Sequence, residues 1–184
     1  YDLLVSCLCN VKYVTIPDSV KRIENYAFSD TSIEAITIPS GVEVIGKCAF
    51  QYCFFLTKIE FEKNSKLQII EEDAFQSSNI KSITIPSEVR KIGERAFFCC
   101  GLLTKIEFEK NSKLQEIEES AFCGSSIESI EISSGVIDIK ENAFLDLEKL
   151  KKISFDPSNP RYYGHDEKMI IGKSKIESDD YDCL

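Results

Sequence analysis

The chain has 184 residues, with 22 Lys plus Arg against 31 Asp plus Glu, giving a formal net charge of −9. At 43% hydrophobic and 29% charged residues it can bury a core, which excludes bulk disorder. The negative charge disfavours nucleic acid and anionic membrane surfaces as partners, and no run approaches the length of an apolar membrane span.

No initiator Met, basic leader or apolar signal core opens the chain, so it is expected to be a processed product or a piece of a longer protein. The first element is Val11-x-x-Val14-x-Ile16, whose last three residues alternate at the strand period of two. Pro17 follows; it has no N–H to continue a ladder and stops the strand. Val20 and Ile23 then read as an extended arm, and Ala27-Phe28 as a tight turn that points the ring inward.

This coil repeats. Its strand returns at Ile33, Leu56, Ile80, Leu103, Ile127 and Leu150, which predicts seven short strands in all. Ala-Phe recurs at Phe28, Phe50, Phe75, Phe97, Phe122 and Phe144, with spacings of 22, 25, 22, 25 and 22 residues. A fixed period of this length is the signature of a solenoid, and stacked coils would align the six rings in one column. All the length variation falls in two turns. Short coils end their strand in Pro, as at Pro17, Pro39 and Pro86, while Ile132-Ser133 is a short form that has lost its Pro. Long coils carry Glu62-Lys63-Asn64-Ser65-Lys66-Leu67 or its copy at 109–114, with a turn-forming Asn-Ser centre. One short and one long coil make a 47-residue double repeat.

Residues 156–180 break the pattern, and Asn159-Pro160 followed by Met169-Ile170-Ile171-Gly172 predicts a hairpin-like insert or cap. Tyr181-Asp182-Cys183-Leu184 echoes Tyr1-Asp2-Leu3-Leu4, so 181–184 is expected to start a further unit of a tandem array. Eight cysteines are present; Cys53 and Cys100 lie three residues past their Phe and are expected to be free core thiols. A disulfide stays open at Cys7, Cys9, Cys99 and Cys123, and no cysteine spacing matches a zinc site. His165 is the sole histidine and no Gly-rich phosphate loop occurs, so no catalytic, cofactor or metal residue is expected. Paired carboxylates such as Glu71-Glu72 and Glu118-Glu119 read as a solvated face.

The motif Ile-x-Ile-Pro-x-x-Val-x-x-Ile-Gly-x-x-Ala-Phe-x-x-Cys-x-x-Leu, intact at 36–56 and 83–103, resembles the BspA-like or treponemal class of leucine-rich repeats. The long-coil phrase Phe-Glu-Lys-Asn-Ser-Lys-Leu-Gln resembles the protist branch of that class. The resemblance implies a leucine-rich-repeat solenoid over residues 1–155, with short parallel β-strands on the concave face and extended arms and tight turns opposite. It also implies surface-exposed proteins that bind host matrix proteins or cells.

Strand residues that alternate with the buried ones face outward. The expected binding face is therefore Tyr13, Thr15, Thr37, Lys58, Glu60, Ser82, Thr84, Lys105, Glu107, Ser129, Glu131 and Lys152, in which Lys/Glu stripes alternate with small hydroxyl stripes. A non-catalytic module for a protein ligand at the cell surface is expected. The alternative is a structural spacer or cytoplasmic scaffold.

Overall fold

The 22- and 25-residue coils wind into a parallel β-solenoid, and no helix occurs among the described residues. The computed structural model describes residues 3–4, 11–165, 169–173 and 181–183, with side chains over 11–162. In chain order the strands are β1 (Leu3–Leu4), β2 (Arg22–Ile23), β3 (Ala35–Ile38), β4 (Val44–Ile45), β5 (Lys58–Phe61), β6 (Ile69–Ile70), β7 (Ser82–Ile85) and β8 (Lys91–Ile92). They continue as β9 (Lys105–Phe108), β10 (Glu116–Ile117), β11 (Ser129–Ile132), β12 (Asp138–Ile139), β13 (Lys152–Phe155), β14 (Tyr162–His165), β15 (Met169–Lys173) and β16 (Tyr181–Cys183).

The arms are more ordered than extended linkers. Each contributes a two-residue strand, and together β1, β2, β4, β6, β8, β10 and β12 form one continuous seven-stranded parallel sheet. Every arm buries its second apolar residue, from Ile23 to Ile139.

The long strands form the opposite face, and they pair in twos. β3 and β5 share four register positions, as do β7 and β9, and β11 and β13. Between pairs the ladder thins: β9 meets β11 at Ser129↔Lys105, and between β5 and β7 only bonds such as Lys81 N–H to the Thr57 carbonyl (3.3 Å) remain. The residue after a strand accounts for the closed pairs and for the thin step before β7; at the β9–β11 step, where Ser133 keeps its N–H, it does not. Glu62, Glu109 and Asp156 donate their N–H groups to the carbonyls of Ile38, Ile85 and Ile132, closing each pair. Pro39 and Pro86 have no N–H to offer the coil before them. The same deficit corrects one expectation. The predicted strand at Val11–Ile16 is reduced to a single bridge, Tyr13↔Ala35.

Between the two sheets runs the phenylalanine column. The rings of Phe28, Phe50, Phe75, Phe97, Phe122 and Phe144 stack nearly parallel, with centroids 5.1, 5.1, 5.2, 5.4 and 5.6 Å apart. The turn that aims each ring is built from left-handed residues. Tyr26, Cys48, Asp73, Arg95, Ser120 and Asn142, two before each Phe, have φ of 51–62°. Asp30, Tyr52, Ser77, Cys99, Gly124 and Asp146, two after, have φ of 53–69°. Alternate backbone N–H groups are thereby turned toward the next coil. Around Phe50, residues 48, 50 and 52 donate to the carbonyls of Glu72, Ala74 and Gln76 at 2.9, 2.7 and 2.9 Å. Gly46 and Gly93 sit where the coils approach most closely; a Cβ on Gly46 would lie 2.7 Å from the Ile23 carbonyl oxygen.

At the far end, Asn159 donates to the carbonyls of Ser133 (3.0 Å) and Val136 (2.9 Å), and the Tyr162 hydroxyl accepts from the Ile139 N–H at 3.0 Å. These side chains stand in for the backbone of a next coil. Beyond them β14 and β15 pair antiparallel, and β15 pairs antiparallel with β16. The two echoing tetrapeptides thus sit in different settings: Leu3–Leu4 pairs parallel with β2, Tyr181–Cys183 antiparallel with β15.

Candidate functional site: the strand face and its edge

The outward residues of the long strands follow from the period-two alternation. Ile36, Ile59, Ile83, Ile106, Ile130 and Ile153 point into the core, so the residues flanking each of them point out. Tyr13, Thr15, Thr37, Lys58, Glu60, Ser82, Thr84, Lys105, Glu107, Ser129, Glu131 and Lys152 are all exposed on one face. In register, Ala35 and Thr37 oppose Lys58 and Glu60, and Ser82 and Thr84 oppose Lys105 and Glu107. The stripes of hydroxyls and charges therefore alternate as rows across the sheet.

Within a row the charges pair along the strand, Lys58 with Glu60 at 2.9 Å and Lys105 with Glu107 at 2.8 Å. These pairs are solvent-exposed and contribute little to stability. Tyr13, 71% exposed, donates its hydroxyl to Glu34 at 3.3 Å. Glu34 in turn pairs with Lys12 at 2.7 Å, and that lysine holds its carboxyl below the usual range.

Three shallow depressions follow one another along the face. The first, about 420 Å³, lies between Tyr13 and Glu60; the second, about 520 Å³, between Thr37 and Thr84. The third and largest, about 920 Å³, runs from Thr84 to Asp156. It carries Glu107, Glu109, Glu131 and Asp156 against Lys105 and Lys110, an acidic excess. Glu131 has no ion pair among the described residues.

The thiols occupy a column of small polar groups beside the rings. Cys53 Sγ donates to the Phe28 carbonyl at 2.9 Å and Cys100 Sγ to the Phe75 carbonyl at 3.1 Å. Thr31 and Ser125 use their hydroxyls for the same purpose, on the carbonyls of Phe28 and Phe122. Burial pushes Cys53 up to about 11 and Cys100 to about 12, so both stay protonated and unreactive at neutral pH. Cys48, Cys53, Cys99, Cys100 and Cys123 are all free. Cys7 and Cys9 lie outside the described residues, as do the side chains of Cys183 and His165.

Among the described residues no group of three potential ligands could hold a metal. Among the described residues, the carboxylates whose pKa moves are Glu34, Glu72, Glu128 and Asp156. All move down, held ionised by Lys12, Lys47, Lys151 and Ser158 respectively. That is the reverse of the raised carboxyl a glycosidic general acid requires. Glu71 and Glu72 depart from the solvated face expected of them. They are half-buried beside the arm sheet, paired with Arg22 at 2.7 Å and Lys47 at 2.8 Å.

One feature escaped the sequence reading. A long coil has one more residue than a short one between its Phe and the next strand, which leaves Phe54 and Phe55 no inward position. They are 52% and 59% exposed, beside Tyr52 at 42%, and Leu102 two coils on is 44% exposed. The extra residue was visible in the spacing; that apolar side chains filled it was the missed signal.

The BspA type leucine-rich repeat profile matches six copies over residues 6–114 and 68–166. The chain belongs to this family. Among solved structures it is similar to the pneumococcal vaccine antigen PcpA, at 29% identity and a TM-score of 0.80, over 84% of this chain and 40% of that one. It is also similar to a leucine-rich-repeat protein from Eubacterium ventriosum, at 27% identity and a TM-score of 0.68, over 80% of this chain and 39% of that one. A leucine-rich cell surface protein from Faecalibacterium prausnitzii shares the fold at 24% identity and a TM-score of 0.64, over 94% of this chain and 53% of that one. The chain thus spans between about two fifths and half of the length of these relatives. No protein of curated function matches it. No helix among the described residues is long and apolar enough to cross a membrane.

Proposed function

We propose that this chain is a non-catalytic protein-recognition module that acts at the cell surface, in adhesion to host or matrix proteins. The observation that carries this reading is the strand face itself. It is a broad sheet surface whose outward side chains are charged or hydroxyl-bearing, exposed and uncovered by any other element among the described residues. Its acidic third depression, with Glu107, Glu109, Glu131 and Asp156, fits a basic segment of a protein partner. The solved relatives described as a vaccine antigen and a cell surface protein support the location. In this reading 1–155 is the recognition array, 156–180 its cap, and 181–184 the start of a further unit. With Tyr13 as the one exposed aromatic among these outward residues, and Phe61 and Phe108 only partly exposed in the depressions, single-unit affinity is modest and tandem units add avidity.

The test is binding of the chain, and of two copies in tandem, to immobilised matrix proteins and intact epithelial cells. Saturable binding that strengthens at least tenfold in tandem and falls in a Glu107→Lys, Glu131→Lys variant supports the proposal. No binding by either form returns the reading to a structural spacer. Binding unmoved by the two charge reversals removes the strand face from it.

A further inference from the structure

The aromatic residues at the edge of the long coils form a second surface, separate from the strand face. Tyr52 and Phe54 stack with ring centroids 6.1 Å apart, and Phe55, next in the chain, is exposed as well. Leu102 holds the position in its long coil that Phe55 holds in its own. Their coils lie two steps apart with one short coil between, and over those steps the ring column advances by 5.1 and 5.2 Å. The coil between is one residue shorter there, and Asn79 donates its side-chain amide to the Phe54 carbonyl at 2.6 Å. Four side chains, each about half exposed, leave on the order of 300 Å² of apolar surface, the size of a functional patch rather than of scattered exposure.

The charge beside this slot is positive, and the reason is a column of seven residues. Lys12, Glu34, Thr57, Lys81, Thr104, Glu128 and Lys151 occupy equivalent positions in successive coils. Glu34 is taken by Lys12 at 2.7 Å and Glu128 by Lys151 at 2.8 Å. Both acids are thus neutralised from the outside, and the central Lys81 has no ion pair among the described residues. Lys81 donates its N–H to the Thr57 carbonyl and accepts from the Thr104 N–H at 3.0 Å. Those partners lie two residues past Phe55 and Leu102, so Lys81 stands beside the slot with uncharged neighbours on both sides.

We infer that the ledge of Tyr52, Phe54, Phe55 and Leu102, with Lys81, is a docking site for a protein segment. That segment carries a large apolar side chain next to a carboxylate. The apolar side chain fills the gap between Phe55 and Leu102, and the carboxylate pairs with Lys81. This occupant is opposite in charge to the one proposed for the strand face, so the two surfaces engage different partners or different parts of one partner.

The probes are two synthetic hexapeptides with a Trp-Leu centre, one flanked by paired aspartates and one by paired lysines. Each is titrated into the isotope-labelled 184-residue chain and followed by amide chemical shifts and fluorescence anisotropy. The aspartate peptide should shift amides in 52–57, 79–81 and 101–104. A Phe55→Ser, Leu102→Ser variant should weaken it about tenfold. Lys81→Glu should reverse the order of the two peptides. The substituted side chains are exposed, and thermal melts verify that the fold is kept. Equal binding of both peptides, absence of saturable binding, or shifts confined to the strand face would each overturn the inference. The last result would leave the strand-face proposal standing.

Discussion

Replacing Phe75 with Ala removes the third ring of the column, and the structure sets the cost. Phe75 is fully buried, with neighbours at 5.1 and 5.2 Å on its two sides. A ring of this kind buries about 200 Å², worth about 5 kcal/mol at the usual transfer coefficient. Two stacked contacts are lost with it, while partial collapse of the cavity returns some of the loss, leaving an expected cost of about 5 kcal/mol. Phe144 gives the contrast. It is half-buried and has one stacked neighbour, at 5.6 Å, so Phe144→Ala should cost about 2 kcal/mol. Urea unfolding followed by circular dichroism measures both. Should Phe75→Ala fail to fold, Phe75→Leu keeps the apolar volume and loses the stacking, at about 1–2 kcal/mol. Equal costs at Phe75 and Phe144, or a cost below about 2 kcal/mol at Phe75, would refute the column as the spine of the core.

Tyr162→Phe leaves the Ile139 N–H without its acceptor inside the cap, and should lower stability by about 1–3 kcal/mol in the same assay. Ser77 holds φ of 54° with a side chain that gains nothing from it, so Ser77→Gly should raise stability by about 1 kcal/mol, read as a higher melting temperature. The pKa values of Cys53 and Cys100 are raised by burial to about 11 and 12, so the unfolded chain releases their protons first as pH climbs. Their contribution is complete below the unfolded thiol pKa of about 8.5 and is lost between there and pH 11–12; Cys53→Ser with Cys100→Ser should flatten that alkaline slope. Thiol labelling mapped by mass spectrometry should modify exposed Cys99 in the native chain and spare Cys53 and Cys100 until it unfolds.

The ring column and the outward face were legible because both depend on periodicity. Phe spacings of 22 and 25 residues, and apolar residues two apart in each strand, leave one consistent stacking. The turn geometry was not legible. Left-handed backbone is usually announced by Gly or Asn, and here Tyr26, Cys48, Arg95 and Tyr52 adopt it. Inter-coil hydrogen bonds hold them there, and such bonds are invisible in a single coil. The pairing of the long strands was half legible. Pro39 and Pro86 were identified as strand stops, but their missing N–H also weakens the step to the coil before. That consequence needs the neighbour in place. The aromatic ledge stayed hidden because Phe54 and Phe55 look like core residues to any reading based on hydropathy.

The alternation of coil types also governs how such a gene can change length. Glu62 closes onto Ile38 because a long coil follows a short one, and Glu109 repeats the closure on Ile85. Unequal crossing-over that inserts or deletes 47 residues preserves every such junction, so it is structurally silent. An exchange of 22 residues would set two Pro-ended strands side by side, as Pro17 and Pro39 already stand, with the single bridge Tyr13↔Ala35 between them, and one of 25 would place two long turns in register. Inheritance of array length should therefore proceed by even numbers of coils, with the pair rather than the single repeat as the copied unit.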